Sequence, residues 1–519
     1  MSYLYLFQIG PVQSFIAQAR RTQDLLVGSK MLSNLAAAGV RAAQSAPGFK
    51  PIFPVLKGND ELPASIPHMF AFLSSDPKPQ AVAERVQQAI EARWREYAET
   101  VESFMMRKIG CGDWQTVYRR QAYEQQGREF YWVAVAYDSR QHSESYKRAR
   151  QALNQRKQLR HFPQVEEPGR KCTLTGAQSA LPLNWDALRE AINDQEASFI
   201  RRNESLGSSA LIKRLVPSIP SLSADLDLKR FPSTRAIAAN KPNLTDDEKL
   251  ERMGKDVRGY LAILHMDGDR MGQALSGLDS LEKHQRFSAA LAQFADEAVP
   301  ATIQTYGGKA PALIYAGGDD VLALLPLPYV LRCANEIRLV FERMVGAKMS
   351  AGIAITPYDL PLDVGLELAR KAEKTAKDVY GRNALVFTEA HGTGQLRSAG
   401  AHWDEVMGMM EQAQKLFHER HISAKIAYDL QTIAHDMGGD EPKNAYYLAQ
   451  ARAAELRRLI KRRTAEGKPE IPDTFAQAII DYAEARTWSD AANWLILARF
   501  LARSGQPEYD ERTPQEAQP

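Results

Sequence analysis

The chain has 519 residues, 44% of them hydrophobic, 25% charged and 8% aromatic, which is room for about three or four domains with cores of their own. With 66 Lys plus Arg against 63 Asp plus Glu, the net charge of +3 excludes a globally basic nucleic-acid binder and leaves polyanion contacts to local patches. Cys111, Cys172 and Cys333 form neither a disulfide framework nor a metal-spaced pair. With no signal-peptide pattern and no run of about 18 apolar residues, the expected setting is the cytoplasm, without membrane contact.

In chain order, residues 3–9 read as a buried strand broken by Gly10-Pro11, and 12–43 as one helix. Strands at 52–56 and 69–73, a charged helix over 81–107 and a strand at 129–137 complete a first palm-like domain, 1–140. Residues 141–255 read as a connecting domain and linker: a basic helix over 143–160, then Pro163, Pro168, Pro217, Pro220, Pro232 and Pro242 in a stretch of weak periodicity. Thr245 and Glu248 have capping-box spacing and predict a helix start.

Residues 256–390 give the clearest pattern. Strand 260–266 precedes a helix from 281 that Pro300 kinks or breaks; strands 312–316 and 321–325 flank Gly-Gly; helix 329–344, strand 349–356, helix 362–380 and strand 384–387 follow. That order is the split βαβ arrangement with a further α-β. Past residue 400 the strand signal stops, and helices over 402–434, 445–464, 474–485 and 490–502 predict a helical domain, 391–505, ahead of a disordered tail, 506–519. The expected fold class is therefore α+β, with two ferredoxin-like palm units, an irregular connecting domain and a C-terminal helical bundle. No repeat of solenoid period is present.

Two acidic clusters stand where strands end. Strand 261–266 delivers the chain to Asp267-Gly268-Asp269, and strand 313–315 delivers it to Gly317-Gly318-Asp319-Asp320, with Gly-Gly as the expected two-residue hairpin. In a split βαβ sheet the first strand lies beside the hairpin, so Asp267 can converge with Asp319 or Asp320. Carboxylates gathered in one place repel unless a cation lies between them. Mg²⁺ (or Mn²⁺) shared with substrate phosphates is the usual solution, and it suits two-metal phosphoryl transfer. Asp and Gly are also common turn formers; two clusters at matching strand ends favour metal binding. Lys377 and Arg382, late in a helix and in the turn after it, can reach a leaving pyrophosphate or simply complement the helix dipole.

Asp267-Gly-Asp-Arg-Met-Gly272, the Gly-Gly-Asp-Asp hairpin and Ser350-Ala-Gly-Ile-Ala-Ile355 resemble the catalytic palm of the large subunit of type III CRISPR effector complexes. The N-terminal Ile9-Gly-Pro-Val-Gln-Ser-Phe-Ile16 and Asp24-Leu-Leu-Val-Gly-Ser29 are similar to the first palm of the Cmr-type (III-B) branch. Ala376-Lys-x-x-x-Gly-Arg-Asn383 is also similar to the end of diguanylate-cyclase domains. The resemblance implies an antiviral nucleotidyltransferase that joins ATP through 3′–5′ linkages into cyclic oligoadenylates when its complex binds target RNA. It implies Asp267 and Asp319 as metal ligands, with Asp320 assisting. Gly268, Gly317, Gly318, Ser350, Lys377 and Arg382 would lie around one nucleotide, and Gly28, Ser29 and Ser33 would face the second. The implied partners are the other subunits, guide RNA and target RNA.

Two departures follow. The chain opens at the first palm rather than at an HD-type nuclease, and His435-Asp436 has no companion histidines, so no DNase activity is expected. Cys172-Thr-Leu-Thr175 keeps one cysteine of the family's Cys-x-x-Cys, so no structural zinc is expected. Basic runs at 147–160 and 457–463 read as solvated helix faces or as RNA or subunit contacts. Other readings of the site are AMP transfer to an acceptor such as S-adenosylmethionine, a non-enzymatic scaffold, and a stand-alone diguanylate cyclase.

Overall fold

Strand β1 (Ser2–Gly10) is apolar almost throughout and lies inside a four-stranded sheet with β2 (Lys50–Phe53), β3 (Met69–Ser74) and β4 (Glu129–Tyr137). The order is β2-β3-β1-β4, with every neighbouring pair antiparallel. The computed structural model describes the chain apart from residues 1, 59–60, 125–128, 160–166, 193–198, 230, 243, 245–258, 391–395, 438–444 and 505–519. The capping-box residues Thr245 and Glu248 and the tail 506–519 lie outside the described residues.

The apolar run in β1 is continuous because both faces of its sheet are covered. Tyr5, Phe7 and Ile9 pack against the helices Thr22–Gln44 and Pro79–Ile109, while Leu4 and Leu6 meet Tyr146, Ala149 and Leu153 of the helix His142–Gln158. The expected single helix over 12–43 is two, Val12–Ala17 and Thr22–Gln44. A partner remote in sequence accounts for the break. The buried Lys213 ammonium donates to the Phe15 and Gln18 carbonyls, each at 2.6 Å, and so satisfies helix-end groups. Beside it Arg214 bridges Asp24 at 2.8 Å and Glu204 at 2.9 Å, all nearly inaccessible to solvent. Such a buried, fully paired network leaves an uncompensated charge if one member is removed. Thus the short helix Ser208–Leu215 in the connecting region braces the first palm.

The second sheet has six strands, β5 (Tyr260–Gly268), β6 (Ala312–Gly317), β7 (Asp320–Pro326), β8 (Met349–Pro357), β9 (Ala384–Ala390) and β10 (Leu396–His402). Its order is β10-β9-β8-β5-β7-β6, and only β8 and β9 are parallel. Its β8-β5-β7-β6 core repeats the order of the first sheet. Ala262, Leu264 and Met266 face Phe294, Ile337 and Phe341 of the helices between strands. Leu261 and Ile263 face Leu362, Leu366 and Ala369 of the helix Leu362–Asp378. On that second face Leu322 and Leu324 also share a core with Leu25, Leu32 and Leu35 of Thr22–Gln44. Each fully buried leucine contributes about 1.5–3 kcal/mol relative to exposure, so the two palms are joined by apolar packing.

After β10 the chain is helical: Trp403–His418, Lys425–Asp436, Ala445–Arg463, Asp473–Ala485 and Trp488–Ser504. The expected helix over 402–434 is broken after His418, where Arg420 takes φ +51° and Ile422 pairs with Thr464. The bundle is tied to the sheet through Trp494, whose indole donates to Tyr482, whose hydroxyl donates to the Gly400 carbonyl at 2.8 Å. Among the described residues no helix is long and apolar enough to cross a membrane.

Candidate active site

The antiparallel register of β5 and β7 builds the site. Asp267 lies directly across from Asp320, and the Gly268 N–H donates to the Asp319 carbonyl at 3.1 Å. Gly268 permits this approach, because a Cβ there would stand 2.9 Å from the Asp319 Cβ. The expected Gly317-Gly318 turn is shifted by one residue. Gly317 pairs with Asp320, and the two turn residues are Gly318, with φ +70°, and Asp319. Glycine at the first turn position suits a type II′ hairpin, and the shift puts Asp319 at the tip.

Asp319 and Asp320 are both pushed up to about 7, first by burial and then by the Asp267 charge. Asp320 keeps 32% of its side chain open to solvent, which moderates the effect. The cluster carries more negative charge than it compensates. Lys377, anchored on the helix Leu362–Asp378, supplies the nearest cation: its ammonium touches Asp267 and lies 2.7 Å from Glu373. Burial opposes the charge on Lys377, but Asp267 and Glu373 hold its pKa above the usual lysine value.

Three further residues escaped the sequence reading. Tyr315 donates to both oxygens of Asp320, at 3.2 and 3.1 Å, because a bulge at Ile314 puts Tyr315 opposite Leu322, on the Asp320 face. Burial, then Asp320, keeps its phenol protonated. His265, two residues before Asp267 on the same face, lies 3.6 Å from Asp320 and 4.0 Å from Glu373. Burial lowers its pKa to about 4, so the ring is neutral at physiological pH. In the sequence His265 and Tyr315 fall inside strands 260–266 and 312–316, and Glu373 inside helix 362–380.

The other expected positions separate into two groups. Ser350, opposite Asp267 on β8, is fully buried and donates to Asp269 at 2.7 Å. Asp269 also accepts from the Asn383 N–H at 2.8 Å and so pins the turn Gly381-Arg382-Asn383, whose residues all have positive φ. Ser350 therefore supports the turn that carries the half-buried Arg382. Gly28 packs against Ile16 and Lys213, away from the open space. Ser29 and Ser33 line a cavity of about 270 Å³ together with Ser65, His68, Asp267, Tyr315, Gly317, Gly318, Asp319 and Asp320. The cavity thus joins the two palms, and nothing stands within 4 Å of where a Cβ would lie on Gly317 or Gly318.

A hard divalent cation fits this donor set chemically, since the carboxylates are oxygen donors in mutual repulsion. Among the described residues no three ligand side chains are gathered closely enough for a closed cage. An ion here would need ligands from substrate or water in addition to the carboxylates. Cys172 lies in the apolar core at a turn closed by Gly176 N–H to the Cys172 carbonyl, 2.9 Å.

Residues 260–386 match the model of the Cas10/Cmr2 second palm domain, and residues 4–99 match that of the Cmr2 N-terminal region. Both matched segments are thus similar to Cas10/Cmr2 proteins. The Cmr subunit Cmr2 of Pyrococcus furiosus is 32% identical over 200 residues, a match that spans 32% of this chain and 22% of the relative. Among solved structures, a type III-B Cmr-beta complex bound to cognate target RNA superposes with TM-score 0.68 at 14% identity, covering 91% of this chain and 80% of the other. A Csm1–Csm4 cassette in complex with cA4 gives 0.52 at 14% identity, covering 96% and 70%. Both likenesses concern the fold alone.

Proposed function

We propose that the chain is a metal-dependent nucleotidyltransferase subunit of a type III CRISPR complex that makes cyclic oligoadenylates from ATP when target RNA is bound. The observation that carries the reading is the acidic register: Asp267 faces Asp320, with Asp319 at the hairpin tip, on the wall of a cavity closed on its other side by the first palm. Structures related in fold contain cA4 in one case and target RNA in another, which supports both the product class and the partners.

Asp267, Asp319 and Asp320 would hold Mg²⁺, which would supply charge stabilisation at the attacking and leaving oxygens. Lys377 neutralises Asp267 and is the cation assigned to the departing pyrophosphate. Tyr315 donates to the Asp320 carboxylate and so holds its orientation. Gly317 and Gly318 leave room for phosphates, and Ser29 and Ser33 present hydroxyls from the opposite wall to a second ATP. The 3′-hydroxyl of one nucleotide attacks the α-phosphate of the other, and alignment across the cavity contributes much of the rate.

The test is chromatography of products from ATP and Mg²⁺ in the assembled complex with matching target RNA. Cyclic oligoadenylates are expected. An adduct formed only when S-adenosylmethionine is added would replace this reading, and a cyclic dinucleotide made from GTP without RNA would reject it.

A further inference from the structure

A carboxylate outside the acidic cluster joins the two walls of the cavity. The helical stretch from Leu281 to Tyr306 passes through Pro300, which has no N–H and whose ring collides with the carbonyl four residues back in a regular helix. That carbonyl belongs to Asp296, and the chain widens there into a π turn, Phe294–Ala298. The Asp296 side chain is only 2% exposed. Its Oδ2 accepts from the Ala64 N–H at 2.9 Å and its Oδ1 from the Ser65 N–H at 3.0 Å, with the Lys57 ammonium 3.5 Å from Oδ2.

The neighbouring residues continue the bridge. Ser65 donates its hydroxyl hydrogen to the Ala316 carbonyl at 3.0 Å, on β6 just before the acidic hairpin. The Ile66 N–H donates to the Ser33 hydroxyl at 2.8 Å, on the helix Thr22–Gln44. Ser33, Ser65, Ile66 and Asp319 all line the one cavity, whereas Asp296 does not. Two adjacent backbone N–H groups aimed the same way need an acceptor with two oxygens. An asparagine offers one oxygen and an NH₂ that repels the second N–H.

We propose that Asp296 is a positioning residue for the transfer reaction. It fixes segment 64–66 across both palms and thereby sets the gap over which the nucleotide on the first-palm wall meets the Asp267–Asp319–Asp320 carboxylates. This rests on the nucleotidyl-transfer reading above. The segment touches the Ser33 wall, the hairpin strand and the π turn within three residues.

The test compares wild type with Asp296→Asn in the full complex with target RNA, ATP and Mg²⁺. Amide exchange of residues 64–66, thermal unfolding, and affinity for a non-hydrolysable ATP analogue are measured alongside. Turnover falls about ten- to a hundredfold, as for a misplacement near 1 Å, analogue affinity changes less than threefold, and exchange at 64–66 accelerates. Lys57→Gln, which leaves both N–H bonds in place, keeps wild-type turnover. Accelerated exchange with full turnover overturns the positioning role, and unchanged exchange overturns the latch. Should Asp296→Asn fail to fold, Ser65→Ala removes only the hydroxyl bridge and is judged by the same two readouts. If Asp319→Ala with Asp320→Ala left turnover intact, the nucleotidyl-transfer reading would fail while the exchange data still reported on the latch.

Discussion

Replacing Gly352 with alanine should damage both stability and catalysis, because this position fixes the height of the helix that carries Lys377. Gly352 lies on β8 beside His265 of β5, directly under the helix Leu362–Asp378. A Cβ there would stand 2.1 Å from the Glu373 nitrogen and 2.2 Å from the Ala369 carbonyl oxygen. Both obstacles are backbone, so no rotamer change relieves them. Reaching the 3.4 Å of ordinary contact lifts the helix by roughly 1.3 Å. That lift separates Lys377 from Asp267 and Glu373 from His265. Overpacking of this kind costs about 1–3 kcal/mol, or several degrees in melting temperature at about 2–4 °C per kcal/mol. A displacement near 1 Å at the reacting groups costs about a hundredfold in rate.

Gly365→Ala is the matched control. Its Cβ would meet the tip of the Ile263 side chain at 2.5 Å, a group that can turn aside, and alanine restores up to about 1 kcal/mol of helix propensity. Calorimetry and ATP turnover on both variants decide the matter. If Gly352→Ala melts and turns over like Gly365→Ala, the helix does not set the site.

Two further outcomes follow. Lys377→Met should lower turnover about a hundredfold, with partial recovery in Lys377→Arg. Because Lys377 lowers the pKa of both Asp319 and Asp320, its loss moves the acid limb of the kcat/KM profile to higher pH; an unmoved limb would mean that Lys377 does not act on the carboxylates. At the palm interface His142 Nε2 meets His284 Nδ1 at 3.1 Å, and burial holds His284 down from 6.5 to about 3. The folded pKa lies below the unfolded one, so the stabilisation is present above about pH 6.5 and is lost as pH falls toward 3, by at most about 1.4 kcal/mol per pH unit. Urea unfolding of wild type and His284→Gln between pH 7.5 and 4.5 should show a shallower acid loss in the variant, and coincident curves would reject the assignment.

Much of the second palm could be read in advance, because its strands are nearly continuous apolar runs and its acidic residues stand at their ends. The side of each strand is less accessible to such reading. The bulge at Ile314 turns Tyr315 to Asp320, and nothing in Leu313-Ile-Tyr315 signals a bulge. His265 sits within an apolar run, and its proximity to Glu373 depends on how closely the helix Leu362–Asp378 approaches Gly352. The break between Ala17 and Thr22 is stabilised by Lys213, nearly 200 residues away, where local periodicity has no reach. Pro300 did mark an irregularity in its helix, but a π turn was not foreseeable, nor was the contact of Asp296 with residues 64 and 65.

The proposed seat of transfer from ATP is the Asp267 and Asp319–Asp320 register. It is tested most directly by conversion of α-³²P-labelled ATP in the assembled, target-bound complex, with wild type beside Asp319→Ala plus Asp320→Ala. Cyclic oligoadenylate from the wild type, with no product above background from the double variant and unchanged complex assembly, is the expected result. Equal product from both would contradict the assignment.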